Sequence, residues 1–94
     1  MQVTVYILKC SDGHYYTGLT KRPLEERVGE HNSGLIKGYT HSRRPVRLVL
    51  AEEFYRIDEA IARERQIKGW ARKKKEALIR GDYKALPDLA RSSS

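Results

Sequence analysis

The chain has 94 residues, 39% of them apolar, and a single cysteine, Cys10. That length fits one small domain with a modest core, which we place at residues 1–83, followed by a flexible tail at 84–94. One cysteine excludes an internal disulfide, and no Cys/His cluster has zinc spacing. No apolar stretch is long enough to span a bilayer and no secretory leader is visible, so we expect a cytoplasmic protein with no membrane partner.

Positive charge dominates the composition. Lysines and arginines number 19 against 12 acidic residues, for a formal net charge of +7 and a pI near 9.8. A polyanion is the natural partner of such a chain, and nucleic acid is the leading choice. The basic residues cluster at Lys37, Arg43 and Arg44 in one predicted loop and at residues 72–75. Many small basic proteins bind no nucleic acid, so charge alone leaves the partner open.

The first two predicted elements are strands, at residues 3–10 and 14–19, joined by a turn at Asp12-Gly13. A two-residue turn would put Tyr6 and Tyr16 on opposite faces. A three-residue loop over residues 11–13, with Gly13 in a left-handed conformation, would pair residue 8 with residue 16 and put both phenols on one face. We predict the three-residue loop. The opposite face should meet the core, and it carries Val3, Val5, Ile7, Tyr15 and Leu19.

A helix is predicted next, with Pro23 in its first turn and Gly34 at its end. Its apolar stripe follows the i, i+3, i+4, i+7 spacing from Leu24, and Arg27 and His31 lie on that stripe. The ordinary interpretation is an arginine that extends outward and a histidine at the core boundary. The functional interpretation is that both face a site.

Residues 32–45 are rich in glycine, polar and basic residues and are predicted to form a loop, with Tyr39 and Thr40 at its centre. Loops of this length often bind a ligand. The following segment, residues 46–54, is predicted to be the third strand.

A second helix is predicted from Asp58, as N-cap, to about Gly69. Its apolar stripe consists of Ile57, Ala60, Ile61, Ile67 and Ala71. Glu64 falls within that stripe, which is unusual because a carboxylate is rarely buried without a partner. An ion pair and a metal ligand are both open explanations.

A further helix is predicted at residues 72–80, ended by Gly81-Asp82. Whether it continues the previous helix or follows a break at Gly69-Trp70 is open. We favour Trp70 as core filler over the alternative of a platform for a stacked base.

Five polar residues, Tyr6, Tyr16, Arg27, His31 and Glu64, stand on the hairpin and the two helices. In this order and spacing the chain resembles the GIY-YIG nuclease superfamily over roughly residues 3–80. Residues 5–7 are similar to the first triplet with its leading glycine replaced, and residues 16–18 to the second with its middle residue changed. The chain most resembles the small single-domain bacterial members, which are related to a nuclease domain of the nucleotide-excision-repair machinery.

This resemblance implies an α+β fold in which a three-stranded antiparallel sheet is flanked by helices. It also implies hydrolysis of a phosphodiester bond, with DNA favoured as substrate, and one divalent cation, Mg²⁺ or Mn²⁺. We expect structure-selective or weakly specific cleavage and a role in DNA repair. RNA stays open as an alternative substrate, and a monomer or weak dimer is expected.

The resemblance also assigns roles to the five residues. Tyr6 is expected to be the general base and Tyr16 its partner, although related enzymes leave these roles exchangeable. Arg27 is expected to hold the scissile phosphate, His31 to orient a tyrosine or pass on a proton, and Glu64 to bind the metal. A phenol is only about one part in a thousand ionised at pH 7, so a nearby cation or metal must favour the phenolate.

Further residues are expected to contact nucleic acid. They are Lys21, Arg22, Lys37, Tyr39, Thr40, Arg43, Arg44, Lys68, Lys73 and Lys74. The chain departs from the family pattern on its late helix, where Glu76 stands in place of a frequent asparagine. The alternative to an enzyme is a module on the same scaffold that binds nucleic acid without cutting it.

Overall fold

One antiparallel sheet organises the fold, and its strands are β1 (Val3–Lys9), β2 (Tyr15–Thr20) and β3 (Arg47–Phe54), in the order β2-β1-β3. The computed structural model describes residues 2–86. The helices are α1 (Leu24–Ser33), α2 (Ile57–Lys68) and α3 (Arg72–Arg80), and short 3-10 turns lie at His41–Arg43 and Tyr83–Ala85. The α+β class predicted from the sequence is confirmed. Within the described range, no helix is long and apolar enough to cross a membrane.

The hairpin has the predicted register. Leu8 pairs with Tyr16 and Tyr6 with Gly18, so both phenols share one face. The Cys10 amide donates to the His14 carbonyl at 2.8 Å, which leaves residues 11–13 as a three-residue loop. Gly13 in that loop has φ +87°, a conformation that other residues rarely adopt. The loop length therefore decides which side chains of β1 and β2 lie together.

Both faces of β1 are buried, although only one was expected to meet the core. Val3, Val5 and Ile7 pack against Ala60, Ile67 and Leu78 of α2 and α3. On the other face, Tyr6 and Leu8 form a second cluster with Cys10 and Val46, against which α1 packs through Leu24 and Val28. The tyrosine face is thus the floor of a second, smaller core under α1.

The helix α1 begins directly after Pro23 and ends at Gly34, which has φ +83°, as the sequence predicts. The start of α2 differs from the prediction. Its N-cap is Arg56, and Asp58 lies in the first turn, where a carboxylate still interacts favourably with the helix dipole. The Arg56 guanidinium pairs with that carboxylate at 3.0 Å.

The helical structure is interrupted between α2 and α3 at Gly69 and Trp70, so α3 is a separate helix and not a continuation of α2. Trp70 packs against the larger core as predicted. Two predicted stripe residues of this region are exposed, because Ile61 and Ala71 lie outside the surface that α2 buries against the sheet. α3 ends at Gly81, with φ +75°. From residue 87 onward, the predicted flexible tail lies outside the described residues.

The loop between α1 and β3 is held at both ends. The Asn32 side chain donates to the Val46 carbonyl at 2.9 Å and accepts from the Val46 amide at 2.7 Å, as a neighbouring strand would. In the same loop, the Arg43 carbonyl accepts from the amide and the hydroxyl of Ser11, each at 2.9 Å. These contacts bring Tyr39 and Thr40 over the tyrosine face of the hairpin.

Candidate active site

A buried hydrogen-bonded chain joins β1, α1 and the following loop. The Tyr6 hydroxyl lies 3.0 Å from His31 Nε2, and His31 Nδ1 lies 2.8 Å from Thr40 Oγ1. Tyr6 and His31 are fully buried, and Thr40 is 1% exposed. A phenol is a stronger acid than an alcohol, so we infer that Tyr6 donates to Nε2 while Nδ1–H donates to Thr40. The two partners would then fix both the ring orientation and the tautomer of His31.

Tyr16 completes the cluster from β2. Its ring centroid lies 5.2 Å from that of His31, in an edge-to-face arrangement, and 6.3 Å from that of Tyr6, in a tilted one. On its outer side, Tyr39 stacks with it at 6.1 Å. Unlike Tyr6, Tyr16 is only half-buried, and its hydroxyl makes no hydrogen bond within residues 2–86. Of the two phenols, only Tyr16 is available to a molecule in solution.

Gly18 makes this arrangement possible. It faces Tyr6 across the hairpin, and a Cβ at position 18 would lie 2.6 Å from both Cζ and Oη of Tyr6. The same Cβ would lie 2.9 Å from Cε2 of Tyr16. Such distances are far inside van der Waals contact. The glycine that ends the second triplet is therefore required by packing, because any side chain there would displace both phenol rings.

Burial sets the protonation of the buried pair. Burial raises the pKa of the Tyr6 phenol above its ordinary value, and the Arg27 guanidinium beside it partly opposes that rise. Burial, assisted by the positive charge of Arg27, lowers the pKa of the His31 imidazole. At neutral pH the structure therefore holds a neutral tyrosine against a neutral histidine.

Arg27 reaches the edge of this cluster from α1. Its Nη1 lies 3.2 Å from Glu30 Oε1, and Arg22 pairs with the second oxygen of the same carboxylate. Its Nε is a buried donor with no hydrogen-bond partner among the described residues. The Arg27 side chain is 29% exposed, so the outer nitrogens of the guanidinium, rather than the buried Nε, are the donors open to a further acceptor such as a phosphate.

Glu64 is connected to the site through a lysine. Its side chain is 17% exposed, and Oε2 lies 2.9 Å from Lys68 Nζ, one turn later on α2. Lys68 in turn lines a pocket with Tyr16 and Tyr39. The carboxylate therefore pairs with a lysine that lines the same pocket as Tyr16.

A single carboxylate is a donor set that suits Mg²⁺, which retains several waters and often takes one or two carboxylates together with substrate phosphate. No group of three or more His, Cys, Asp or Glu side chains is placed to hold a metal ion within residues 2–86. Glu64 thus fits a weakly held, hard cation that substrate helps to bind. A closed zinc-type site is absent from that range.

Two residues that were expected to contact nucleic acid are buried instead. Thr40 is engaged by His31, and Lys74 is 8% exposed with Nζ only 4.0 Å from the Trp70 ring centroid. Its ammonium group is stabilised by the aromatic face. Both expectations are therefore corrected, because neither side chain is presented to a surface ligand.

The other expected contacts lie at or near the surface. Lys21, Lys37, Lys68 and Lys73 are exposed. Arg22, Arg43 and Arg44 are already engaged: Arg22 by Glu30, Arg43 by Asp12 at 3.0 Å, and Arg44 through Nε by the His41 carbonyl at 2.7 Å. Arg43 also covers Tyr39, with 4.1 Å between guanidinium carbon and ring centroid. Tyr39 is thus held between Arg43 and Tyr16 at the rim of the site.

Sequence reasoning missed Gly18 and Asn32 as contributors to the site, and it placed Lys75 only within a run of basic residues. The glycine was visible as part of a triplet, but its role needs the cross-strand position of Tyr6. Asn32 follows His31 directly, and only the folded loop shows that it holds Val46. Lys75 stood in a run of similar residues, and no local signal separates it from its neighbours.

Comparison with known proteins identifies the family that this chain matches. Residues 2–77 match the GIY-YIG catalytic domain. A UPF0213 protein of Staphylococcus saprophyticus is 48% identical over 75 residues, which are 80% of this chain and 90% of the relative. A UPF0213 protein of Halobacterium salinarum is 49% identical over 75 residues, covering 80% of this chain and 96% of the relative.

Solved structures agree with the fold. The solution NMR structure of a UPF0213 protein from Bacillus halodurans is similar with a TM-score of 0.55 and 42% identity, covering 84% of this chain and 83% of the other. The solution NMR structure of a protein from E. faecalis is similar with a TM-score of 0.61 and 38% identity, covering 88% of each chain.

Proposed function

The chain belongs to the GIY-YIG family, and from that premise we propose that it is an endonuclease that hydrolyses phosphodiester bonds in DNA with the help of Mg²⁺ or Mn²⁺. The observation that carries this proposal is the convergence of Tyr6, Tyr16 and His31 beside a pocket that two lysines help to line. Family membership alone implies a nuclease-type domain and nucleic-acid binding. The arrangement of the polar groups supports the more specific reaction.

The two phenols have different roles in this proposal. Tyr6 is fully buried and hydrogen-bonded to His31, so it has no path to a water or phosphate. Tyr16 is half-buried, has a free hydroxyl within the described residues and lines the pocket. We therefore exchange the roles expected from the sequence. Tyr16 is the general base, and Tyr6 with His31 and Thr40 forms the rigid support beneath it.

In this proposal Tyr16 is the general base, and Lys68 and Lys75 line the same pocket. The Tyr16 phenolate takes one proton from a water molecule, and the resulting hydroxide oxygen forms a bond to phosphorus. The bond from phosphorus to the leaving sugar oxygen breaks, and that oxygen takes a proton from solvent. Arg27 supplies hydrogen-bond donors to the phosphate oxygens, where negative charge increases in the transition state.

Glu64 would hold the divalent cation, with waters and the substrate phosphate as the remaining oxygen ligands. When bound, such an ion supplies positive charge that lowers the energy of the phosphate transition state and the pKa of a nearby water. Lys68 must release the Glu64 carboxylate for this to happen. A helical i, i+4 pair contributes only about 0.3–0.5 kcal/mol, so the exchange is energetically small.

Sequence specificity is expected to be low. The domain is small, and specific reading of bases needs a large buried surface with several contacts to base edges. Structure-selective or weakly specific cleavage, as in DNA repair, therefore suits this chain better than recognition of a long site.

A nicking assay tests the proposal. Single-stranded, branched and duplex DNA are incubated with Mg²⁺, with Mn²⁺ or with EDTA. Cleavage should require the metal and fall about 10²–10⁴-fold in Tyr16→Phe. Tyr55→Phe, at an exposed tyrosine after β3, is the matched control and should cleave like the parent. Equal cleavage by Tyr16→Phe and the parent in a preparation free of contaminating nuclease would refute the assignment.

A module that binds without cutting is the second candidate. The observation that favours it is the complete burial of Tyr6 and His31, which makes a structural role sufficient to explain both residues. This candidate predicts salt-sensitive binding of DNA with no metal-dependent product. The nicking assay separates the two, because only the enzyme yields a product that depends on both Mg²⁺ and Tyr16.

A further inference from the structure

Three consecutive lysines of α3 lie in three different environments. Lys73 is exposed to solvent, and Lys74 is buried against the Trp70 ring. Lys75 is half-buried and lines the pocket beside Tyr16. The run at residues 73–75 is therefore not a uniform basic surface, and only its last member faces the candidate site.

The pocket beside Tyr16 has a volume of about 380 Å³ and brings two ammonium groups together. It is lined by Tyr15, Tyr16, Thr17, Tyr39, Lys68 and Lys75. Burial lowers the pKa of Lys75, and the positive charge of Lys68 lowers it further. Lys68 is neutralised by Glu64, whereas Lys75 makes no salt bridge with any carboxylate of residues 2–86. Lys75 therefore brings a positive charge without a carboxylate partner among the described residues into a partly buried pocket, beside the ion pair of Lys68 and Glu64, and this is unfavourable unless an anion joins it.

A second observation indicates a ligand in the same pocket. Thr17 lines it from β2 and is only 3% exposed, yet its Oγ1 is buried with no hydrogen-bond partner among the described residues. Buried hydroxyl groups in folded proteins are nearly always hydrogen-bonded. The Thr17 hydroxyl lies within the wall of the pocket rather than on its open surface, beside two ammonium groups, and hydroxyl and ammonium donors together are groups that bind a phosphate.

We propose that this pocket binds a backbone phosphate of the nucleic acid next to the one that is cleaved, with Lys75 and Lys68 as its cations and Thr17 as a hydroxyl donor. This inference rests on the proposed function. Tyr15 and Tyr39 form aromatic walls of the pocket, and such walls suit the sugar and base attached to a backbone phosphate. An inorganic anion has no group to contact them. Lys75 is thus the substrate-binding residue of the run, in place of Lys73 and Lys74, for which a nucleic-acid contact was expected from the sequence.

Binding in the absence of cleavage tests the inference. Fluorescence anisotropy measures the Kd of a labelled single-stranded oligonucleotide in EDTA at several salt concentrations. Lys75→Ala should weaken binding about 10-fold and reduce the slope of log Kd against log salt by roughly 0.7–0.9, the value for one lost phosphate contact. Lys73→Ala, the matched control, removes the same charge from a neighbouring position and should change Kd by less than about twofold.

Two further variants distinguish the loss of a binding group from the loss of folding. Lys75→Arg keeps the cation and should stay within about threefold of the parent in Kd. Thr17→Val keeps shape but removes the hydroxyl, and it should weaken binding severalfold without changing the salt slope. Equal weakening by Lys75→Ala and Lys73→Ala would overturn the inference, since it would indicate a diffuse charge effect.

The outcome is separable from that of the proposed function. If Lys75→Ala weakens binding in EDTA while the parent produces no cleavage in Mg²⁺, the phosphate pocket stands and the nuclease proposal fails. If the parent cleaves and Lys75→Ala binds as tightly as the parent, the pocket fails and the nuclease proposal stands.

Discussion

Removing one hydroxyl from each phenol in turn should separate their roles. In Tyr6→Phe, Nε2 of His31 loses its partner at 3.0 Å while the ring remains fully buried. A buried polar atom left without a partner costs about 1–3 kcal/mol. For a chain of 94 residues, a loss of about 2 kcal/mol lowers Tm by roughly 8–16 °C. Tyr16→Phe removes a hydroxyl with no hydrogen bond in the described residues, so the free energy of unfolding should change by less than about 0.5 kcal/mol.

The assay is urea denaturation followed by the fluorescence of Trp70, the single tryptophan. Trp70 packs against the larger core, so its emission reports global unfolding. Each variant is also tested for nicking at a temperature where both are folded. We expect Tyr6→Phe to be destabilised and partly active, and Tyr16→Phe to be stable and inactive.

The opposite pattern would refute this division of roles. If Tyr6→Phe kept the stability of the parent and lost all cleavage, Tyr6 would be acting on the substrate and its burial would not describe the working enzyme. Thr40→Val supplies the internal check, because it removes the other partner of His31 at 2.8 Å and should also destabilise by about 1–3 kcal/mol. The double variant with Tyr6→Phe should show coupling, since both hydroxyls act on one ring.

The site supports three more predictions. Gly18→Ala should destabilise by about 1–3 kcal/mol in the same urea assay, because its Cβ would meet Tyr6 at 2.6 Å. The free energy of unfolding should reach its full value above about pH 6.5, the pKa of a histidine in the unfolded chain. It should decline as the pH falls below that value toward the lowered pKa of His31, because the unfolded state binds the proton more readily. His31→Gln should flatten that decline in urea titrations at different pH, with His14→Gln as the exposed control; an unchanged decline would contradict it. Glu64→Ala should change the free energy of unfolding by less than about 0.5 kcal/mol. It should also abolish the dependence of DNA nicking on Mg²⁺.

Local signals were sufficient for the hairpin and the ends of α1. Gly13 and Gly34 both adopt positive φ, at +87° and +83°, and glycine is the residue that adopts such angles at no steric cost. With the loop length set by Gly13, alternation alone places Tyr6 and Tyr16 on one face. The resemblance then identified the residues that would meet there.

What could not be predicted depends on contacts between distant segments. Alternation shows which side chains of β1 share a face, but it does not show that α1 covers the tyrosine face and buries Tyr6 completely. Thr40 was expected to be a solvent-facing loop residue, because its partner His31 lies nine positions away on another element. Only the fold shows that Thr40 is buried. Lys74 looked like a surface charge, since only the fold places an aromatic ring beneath it.

The central position of β1 in the sheet limits where homologues can gain or lose residues. Val5 serves the larger core and Tyr6 the candidate site, although they are neighbours in the chain. One codon gained or lost within residues 11–13 would shift β2 against β1, so that Tyr16 no longer lay beside Tyr6. Active homologues should therefore accept substitution of Ser11 and Asp12 more readily than of Gly13, and should accept neither insertion nor deletion in this turn. Residues 35–38, between α1 and Tyr39, are the better place for changes in length.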